Sequence, residues 1–433
     1  MKHIAFLIPG LDRIGGAEKQ LLLLAKGLAD RGWRVSVVAL SGTGGSAAAE
    51  LSAAGAAFVT LEMRKGLADP RGWLRFHRWL KRGAPDVVHA HLPHAAWMAR
   101  WSRLGTPVRA VVDRLHSSST GSLGRRLDYR WSNWLADRVT AVSRAVADAH
   151  LAAHMVTAEK LVVLPNGVDV EGRRLDAVSR TGLRNELGLD DEFLWFAAGR
   201  LEPVKDYPAL LRAFAKLPGN ARLVIAGCGP LLGELRALAT SMGVAERVRF
   251  LGFEPDLRGW MQAADGLVLS SLWEGLPTVV LEAAACALPA VATDVPGTRE
   301  AIVDGQTGLL ARAGSIDALA AAMGHLMWLP PSERAAMGER ARQRVVEQFS
   351  LEAALDRWES LYGEVLRQNP RPRRWGRTNK TTELSSRSTV SSTATAERAH
   401  EKPGFAQEPR IRRDARSAPA GPVGTPQAHD RLR

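Results

Sequence analysis

The strongest constraint on the fold is a repeated alternation of short apolar runs with helical segments along the 433-residue chain. The first series of runs is HIAFLI, RVSVVAL, PDVVHAH, VRAVV and RVTAVS. After KLVVLPNGVD a second series follows: FLWFAAGR, ARLVIAG, RVRFLG, GLVLSS and PAVATD. Near-continuous apolar strands that alternate with helices are typical of parallel sheets covered on both faces. Two such series in tandem predict an α/β protein with two doubly wound domains.

The length and the breaks in this pattern predict how the chain is organised, since 433 residues exceed what one core normally holds. We expect a first domain over residues 1–170, a second over 171–350, a final helix over 351–367 and a tail over 368–433. The tail should be disordered because Arg, Ser, Thr and Pro replace the apolar periodicity there. It holds fourteen Lys and Arg against six Asp and Glu, so +8 of the net charge of +13 lies in it.

Cysteine usage and the N-terminus indicate a cytoplasmic protein. Cys228 and Cys286 form no CxxC pattern and lie in apolar surroundings, which argues against a disulfide framework and a structural zinc site. The first apolar run is short and is broken by Pro9 and Gly10, so we interpret it as a buried strand and not as an export signal. No uninterrupted apolar segment approaches the roughly 18 residues that span a bilayer.

Loops that follow strands are where an open parallel sheet binds its ligands. In the first such loop, GLDRIGGAEKQ, Gly15 and Gly16 stand directly before a helix, so backbone N–H groups can approach an anion. The GxGxxG spacing is missing, which weakens the case for a dinucleotide. The alternative is a glycine turn needed only for chain geometry.

Two loops of the second series carry further candidates. In GRLEPVKDYPALLRAF, Arg200 and Lys205 flank one turn and could neutralise a diphosphate without a metal ion, although surface cations are usually only solvated. In AGCGPLLGEL, Gly227 and Gly229 precede a helix, and FLGFEPDL follows downstream. Such a pair could admit a flat base against the backbone, but it could also be an ordinary turn.

The stretch EGLPTVVLE places two carboxylates beside a helix start. Pro277 fits the first helical turn, which leaves the N–H groups of Thr278 and Val279 free for a phosphate. Glu282 lies one turn beyond Thr278 on about the same helix face, and Glu274 precedes the helix. Carboxylates accept hydrogen bonds from sugar hydroxyls, so the pattern favours a sugar nucleotide. Alternatively, Glu282 complements the helix dipole and Glu274 is a solvated loop acid.

This stretch and its flanks, SLWEGLP and LEAAACALPAVATDVPGTREAIVDGQTGLL, resemble the E-x7-E region of the retaining GT-B glycosyltransferases of family 4. GGAEKQLLLLAKGLADRGWRVSVV, VVLPNGVD, GRLEPVKDYPALLRAF, LVIAGCGP and RVRFLGF match other landmarks of that family in the same order. The resemblance covers about residues 1–366. It implies the GT-B fold, with two Rossmann-like domains facing a central cleft and a final helix that crosses back to the first domain.

The resemblance also implies roles for individual residues. Glu282 would bind ribose, Glu274 the donor sugar, and Gly16 the phosphates from across the cleft. The implied donor site comprises Gly15, Gly16, Arg200, Lys205, Gly227, Phe253, Glu274, Gly275, Leu276, Pro277, Thr278 and Glu282. The implied catalytic residues are His116, Glu274, Arg200 and Lys205, and the implied acceptor contacts are His91, His94 and Glu18. A structural role is the alternative for each histidine.

The activity that the resemblance implies is transfer of a hexose-type sugar, with retention, from a UDP or GDP sugar to a glycan or lipid-linked sugar acceptor. Such a reaction would serve cell-surface polysaccharide or glycolipid synthesis. The chain has no Asp-x-Asp motif, so we expect neither a metal requirement nor another cofactor. The alternatives are a non-hydrolysing sugar-nucleotide epimerase and a non-catalytic protein that binds nucleotide sugars.

Two basic and aromatic stretches suggest a further partner. PRGWLRFHRWLKRG interleaves Trp73, Phe76, Trp79 and Leu80 with basic residues, and GRRLDYRWSNWLADR repeats the mixture. Such helices suit anionic lipid headgroups, which would place the protein peripherally at the inner face of the plasma membrane. Alternatively, the aromatic rings pack inward and the basic groups extend to water. The tail has only two aromatic residues, Trp375 and Phe405, which is too few for a base-stacking platform, so no specific nucleic-acid partner is expected.

Overall fold

A computed structural model of the protein describes residues 1–64, 69–171 and 177–370. Nearly all of the predicted tail, from residue 371 onward, therefore lies outside the described residues. Within the described ranges, no helix combines the length and the apolar character needed to cross a membrane.

The first half of the chain alternates strands and helices. Its elements are β1 (His3–Ile8), α1 (Gly16–Asp30), β2 (Arg34–Ala39), α2 (Gly45–Ala53), β3 (Ala57–Thr60), α3 (Pro70–Gly83), β4 (Val87–His91), α4 (Pro93–Ser102), β5 (Ala110–Leu115), α5 (Leu123–Ser132), β6 (Arg138–Ala141), α6 (Arg144–Ala152) and β7 (Leu161–Val163).

The second half repeats the alternation and ends in three consecutive helices. Its elements are α7 (Ala177–Glu186), β8 (Phe193–Ala198), α8 (Tyr207–Ala215), β9 (Ala221–Ala226), α9 (Leu232–Ser241), β10 (Val248–Gly252), α10 (Arg258–Ala263), β11 (Gly266–Leu269), α11 (Thr278–Ala285), β12 (Ala290–Asp294), α12 (Pro296–Ala301), β13 (Gly308–Arg312), α13 (Ile316–Trp328), α14 (Pro331–Phe349) and α15 (Leu351–Gln368).

The strands form two parallel sheets, which confirms the predicted α/β class with two doubly wound domains. The seven-stranded sheet has the order β3-β2-β1-β4-β5-β6-β7, and the six-stranded sheet has the order β10-β9-β8-β11-β12-β13. The strand order reverses between β1 and β4 in the first sheet and between β8 and β11 in the second. Crevices open beyond the strand ends at such reversals, so each sheet offers a binding position there.

The strands that the apolar pattern did not predict all lie at sheet edges. Residues Ala57–Thr60 and Leu161–Val163 flank the first sheet, and Gly308–Arg312 flanks the second. Each of these strands has partly or fully exposed positions, whereas β1 and β8 are buried along their whole length. A strand with one open edge does not need the continuous apolar run by which the central strands are detected.

The last helix, α15, packs against the first sheet's side of the molecule. Trp358 and Tyr362 are almost fully buried in a cluster with the apolar face of α1. A Cβ atom on Gly27 in α1 would lie 2.6 Å from Leu355, so glycine allows the two helices to approach closely. Trp33 donates a hydrogen bond to Glu359 at 2.7 Å. The first sheet is therefore covered in part by the far end of the chain.

The two basic and aromatic stretches behave differently. In α3, Phe76 and Leu80 are fully buried, and Trp73 packs edge-on against Trp97 with ring centroids 5.1 Å apart. The apolar side of α3 therefore packs inward, as the alternative interpretation expects. In the second stretch, by contrast, Trp131 is 75% exposed.

Candidate functional site

The loops after β1 and β5 of the first sheet meet the loop after β11 of the second. A Cβ atom on Gly275 would lie only 2.2 Å from the carbonyl oxygen of His116, so the two backbones are in direct contact. A Cβ atom on Gly16 would lie 3.6 Å from the hydroxyl of Thr278. The structure therefore brings predicted residues from both halves together beside the strand-order reversals.

Glu282, on α11, forms an ion pair with a residue of the other half. Its Oε1 lies 2.7 Å from Nζ of Lys19, on α1, and the Glu282 side chain is only 4% exposed. A buried carboxylate needs a compensating charge, because losing hydration without a partner costs several kcal/mol. Lys19 supplies that charge across the cleft. Sequence analysis did not single out Lys19, although it lies in the GGAEKQ motif.

Glu274, in the loop before α11, pairs with Lys205. Lys205 Nζ lies 2.6 Å from Glu274 Oε1, and the same oxygen accepts a hydrogen bond from the Ser271 hydroxyl at 2.6 Å. The Ser270 hydroxyl donates to the backbone carbonyl of Lys205, which fixes the β8 and β11 loops to one another. Burial, together with the nearby charge of Glu274, raises the pKa of Tyr207. Two predicted site residues are thus held in contact.

Arg200 lies apart from this pair. Its guanidinium contacts Glu202 at 2.9 Å, and the side chain is 68% exposed. In this conformation Arg200 and Lys205 therefore pair with different carboxylates. Phe253, directly after β10, is also exposed, so its ring is available for stacking.

Gly227 allows two neighbouring turns of the second sheet to touch. It has φ of +148°, and a Cβ atom there would lie 1.9 Å from the carbonyl oxygen of Gly199. A side chain at this position would separate the β8 and β9 loops.

The start of α11 is anchored from the first half of the chain. Asn166 donates a hydrogen bond to the carbonyl of Leu276 and accepts one from Arg114 at 2.8 Å. Pro277 is the residue before the first helical position, one place earlier than predicted. The N–H group of Thr278 thus remains at the open end of α11, where the helix dipole favours an anion.

Three histidines form a connected group behind this loop. His116 Nε2 lies 3.2 Å from His91 Nδ1, and the rings of His89 and His91 are 4.4 Å apart. The hydroxyl of Tyr362, on α15, lies 2.7 Å from His89 Nδ1. His89 and His91 are fully buried, so His91 lies behind His116 and supports its ring, and it does not face the cleft directly.

Burial sets the charge state of this histidine group. It lowers the pKa values of His89, His91 and His116, and the charge of Arg114 lowers each of them further. Burial also lowers the pKa of Arg114 to about 10, and the guanidinium stacks over the Trp358 ring at 4.7 Å. The three imidazoles are therefore neutral at pH 7. In a neutral imidazole, one ring nitrogen can accept a hydrogen bond.

The remaining predicted acceptor residues take different positions. His94 is exposed on the first turn of α4. Glu18 accepts a hydrogen bond from the backbone N–H of Gly15 at 3.0 Å, so its carboxylate caps its own helix. Leu92, between β4 and α4, has φ of +73°, a conformation that costs a bulky residue on the order of 1–3 kcal/mol. Packing of Leu92 against the core of the first half holds the residue in this conformation at the start of α4.

Glu300 supplies another contact between the halves that sequence analysis missed. Its carboxylate accepts hydrogen bonds from the backbone N–H groups of Arg144 and Ala145, at 2.9 and 2.8 Å, at the start of α6. A carboxylate at a helix N-terminus is favoured by the dipole as well as by the hydrogen bonds. Only the position of Glu300 after β12 could have suggested such a role.

The site combines two lysine-paired carboxylates, an open helix N-terminus and a neutral histidine. These groups can bind hydroxyls, phosphates and a polar sugar, respectively. Within the described ranges, no group of three or more His, Cys, Asp or Glu side chains is arranged to hold a metal ion. The expectation that the activity needs no metal ion stays a prediction.

Two family descriptions match most of the described chain. Residues 14–171 match the family described as Glycosyltransferase Family 4. Residues 179–344 match the family described as Glycosyl transferases group 1. Together these ranges include the loops that meet at the candidate site.

Curated relatives are similar over most of their length. An N-acetyl-alpha-D-glucosaminyl L-malate synthase of Bacillus anthracis is 30% identical over 299 residues, covering 66% of this chain and 76% of that protein. A UDP-Gal:alpha-D-GlcNAc-diphosphoundecaprenol alpha-1,3-galactosyltransferase of Escherichia coli is 27% identical over 316 residues, covering 69% of this chain and 81% of the relative.

The fold also matches solved structures. The crystal structure of Anabaena Alr3699/HepE in complex with UDP aligns with a TM-score of 0.73 at 24% identity. The alignment covers 84% of this chain and 100% of the Anabaena chain. The architecture is therefore that of the GT-B fold.

We predict that Lys19→Ala destabilises the protein by about 1–3 kcal/mol, because it leaves the buried carboxylate of Glu282 uncompensated. Lys26→Ala, seven residues further along α1, breaks an exposed pair with Glu50 and should cost less than about 0.5 kcal/mol. Thermal unfolding of both variants checks this. Equal shifts in Tm would show that the Lys19 contact does not hold the halves together.

Gly275→Ala should disrupt the site, because the new methyl group would overlap the His116 carbonyl. We expect the nucleotide affinity of the variant to fall at least about tenfold through displacement of the loop before α11. Gly259→Ala is the matched control, since a Cβ atom there meets nothing within 4 Å. Unchanged nucleotide binding by Gly275→Ala would contradict the contact.

Stability should fall as the pH is lowered below about 6.5, the ordinary pKa of histidine. Because the pKa of His89 is lowered in the folded state, the unfolded chain takes up the proton first. The contribution of each such histidine to the free energy of unfolding is fully present above this pH. As the pH falls further, it is lost at up to about 1.4 kcal/mol per pH unit. Tm measured from pH 7.5 to 5.5 should therefore decrease, and less so in His89→Asn. The matched substitution is His154→Asn at an exposed position, and equal effects would contradict the assignment.

Proposed function

Because the chain belongs to the family 4 type of GT-B glycosyltransferases, we propose that it transfers a hexose-type sugar from a UDP or GDP sugar to a glycan or lipid-linked sugar acceptor. The observation that carries the proposal is the pair of carboxylates on either side of the start of α11. Glu274 and Glu282 each contact a lysine, at 2.6 and 2.7 Å, beside a helix N-terminus. A sugar nucleotide matches this arrangement, since it offers phosphates to cations and hydroxyls to carboxylates.

We assign the ribose to Glu282 and the donor sugar to Glu274. In the ligand-free protein, each carboxylate is neutralised by a lysine that could instead contact the diphosphate. Donor binding would then exchange one set of partners for another, with Lys205 turning from Glu274 to phosphate oxygens. The backbone N–H of Thr278 and the dipole of α11 would add to the positive field. Phe253 would stack on the base, and Gly227 would let the base approach the backbone.

We propose that the reaction retains the configuration at the anomeric carbon. The bond between that carbon and the leaving phosphate oxygen breaks, and a bond to the acceptor hydroxyl oxygen forms on the same face of the sugar. The hydroxyl proton passes to the leaving phosphate, and the nucleoside diphosphate departs. Lys205, Arg200 and the helix N-terminus would stabilise the developing negative charge without a metal ion. Arg200 would have to leave Glu202 to take part.

His116 would hold a sugar hydroxyl at the reacting centre. Its neutral imidazole can accept a hydrogen bond, and its contact with His91 fixes the orientation of the ring. The backbone contact of His116 with Gly275 keeps this side chain beside the donor loop. His94, exposed on the same side of the first sheet, would contact the acceptor.

We propose that the acceptor belongs to cell-surface polysaccharide or glycolipid synthesis. Support comes from the Escherichia coli relative, whose name specifies a diphosphoundecaprenol-linked sugar as the acceptor. An epimerase would turn over the nucleotide sugar without an acceptor. Nucleoside diphosphate that is released only when an acceptor is present would therefore separate transfer from epimerisation.

The donor assignment predicts different effects at the two carboxylates. Glu282→Ala should weaken UDP and UDP-sugar equally, by about 10- to 100-fold, because both carry the ribose. Glu274→Ala should leave UDP binding unchanged or tighter, since Lys205 is freed, and should remove the extra affinity contributed by the sugar. Calorimetry with UDP, GDP and their sugars, with magnesium or EDTA, measures this.

Lys205→Ala is the companion variant and should lower the affinity for UDP. Lys216→Ala, which breaks an exposed contact with Asp317, is its control. Wild-type affinity in Lys205→Ala would remove the diphosphate assignment. Binding that is lost in EDTA would remove the expectation of metal independence.

A further inference from the structure

An exposed apolar stripe runs along α5. Leu123, Leu127 and Trp131 are spaced four residues apart, and Trp134 follows in a short helical turn over Asn133–Leu135. Successive residues of a helix are 100° apart, so side chains with this spacing lie on one face. Their exposed fractions are 64%, 47%, 75% and 64%, respectively. We call these four residues the tryptophan stripe.

The opposite face of α5 is buried in the first domain. Tyr129 and Ser132 point inward and are almost completely buried. Arg100, fully buried on α4, donates to the Ser132 hydroxyl at 2.9 Å and to the Tyr129 carbonyl at 3.1 Å. Asp113 completes this network by pairing with Arg100, which gives that acid a structural role. The helix is therefore held firmly with its stripe toward solvent.

Neighbouring helices extend the same surface. The indole N–H of Trp101, at the end of α4, lies 3.4 Å from Asp128 on α5, and Trp101 is 36% exposed. On the other side of α4, α3 packs through the contact between Trp73 and Trp97. Helices α3, α4 and α5 thus lie side by side on the first sheet.

Basic side chains lie beside the stripe on α5 and also on α3, at the other side of α4. Arg126 and Arg130 lie on α5, at helical positions next to the stripe, and both are exposed. On α3, five basic residues are exposed: Arg71, Arg75, Arg78, Lys81 and Arg82. Indole rings prefer the boundary between water and hydrocarbon, and arginines beside them can bind lipid phosphates. The surface therefore matches an anionic bilayer in both polarity and charge.

We propose that the tryptophan stripe docks the protein on an anionic phospholipid surface, with the arginines of α5 and α3 on the headgroups. Residues 117–122 connect His116 to Leu123, so the stripe begins at most about 25 Å along the chain from the cleft. A lipid-linked acceptor anchored in the same bilayer would then meet the enzyme beside the reacting centre. Docking itself does not require the proposed glycosyl transfer.

Vesicle sedimentation with the full chain tests the proposal. Wild-type protein should bind phosphatidylcholine vesicles that contain phosphatidylglycerol, and the Trp131→Ser/Trp134→Ser variant should bind at least about tenfold more weakly. Trp328→Ser is the matched control, since Trp328 is 79% exposed on α13, in the other half of the chain. Arg126→Ser/Arg130→Ser should weaken binding to anionic vesicles, and most strongly at low salt.

Several outcomes would overturn the proposal. One is undiminished sedimentation of the double tryptophan variant, as expected if the basic tail alone held the vesicles. Another is an equal loss of binding in Trp328→Ser. A third is a dimer without vesicles that the double variant abolishes, combined with no vesicle binding by the wild type, because the stripe would then join two copies of the chain. Vesicle binding is measured without a donor sugar, so a failed transfer assay cannot be mistaken for a failed docking test.

Discussion

The contact on which the site depends is the one between two backbones, at His116 and Gly275. Neither chain segment could make it alone, since each lies in the loop after a strand of a different sheet. The paired Lys19 and Glu282 stand beside it and add a charge that is costly to separate. Asn166, in the segment that joins the two sheets, donates a hydrogen bond to the Leu276 carbonyl in the same loop. The geometry of the loops in one half of the chain is thus set by contacts from the other half. The site therefore forms only when both halves are folded and packed together.

Burial and a neighbouring positive charge together keep the histidine group neutral. Arg114 carries its charge into the core, where it stacks on Trp358 and binds Asn166. That charge and the low polarity of the surroundings keep three imidazoles neutral. A neutral ring is a hydrogen-bond acceptor on one side and a donor on the other, so His91 can fix the orientation of His116. Because acid would protonate these rings, the same arrangement makes the folded protein less stable at low pH.

Sequence patterns predicted the buried strands and the site loops because both depend on local chemistry. Continuous apolar runs identify strands covered on both faces, and glycines before helices identify turns that approach a ligand. Edge strands such as Ala57–Thr60 escaped because a half-exposed strand has no such run. Lys19 and Glu300 escaped for another reason: their partners are distant in sequence, and only the folded chain makes them neighbours. The tryptophans of α3 pack inward and those of α5 are exposed. This difference likewise follows from packing, and the similar compositions of the two stretches do not reveal it.

The position of α15 also bears on how the protein is made. Tyr362 and Trp358 complete the core of the first domain, yet they are synthesised about 200 residues after the last strand of its sheet. At typical translation rates of about 5–20 residues per second, this face stays uncovered for roughly 10–40 s on the ribosome. During that interval the apolar side of α1 is open to chaperones and to premature association. The first domain can therefore reach its final stability only after the second has been made.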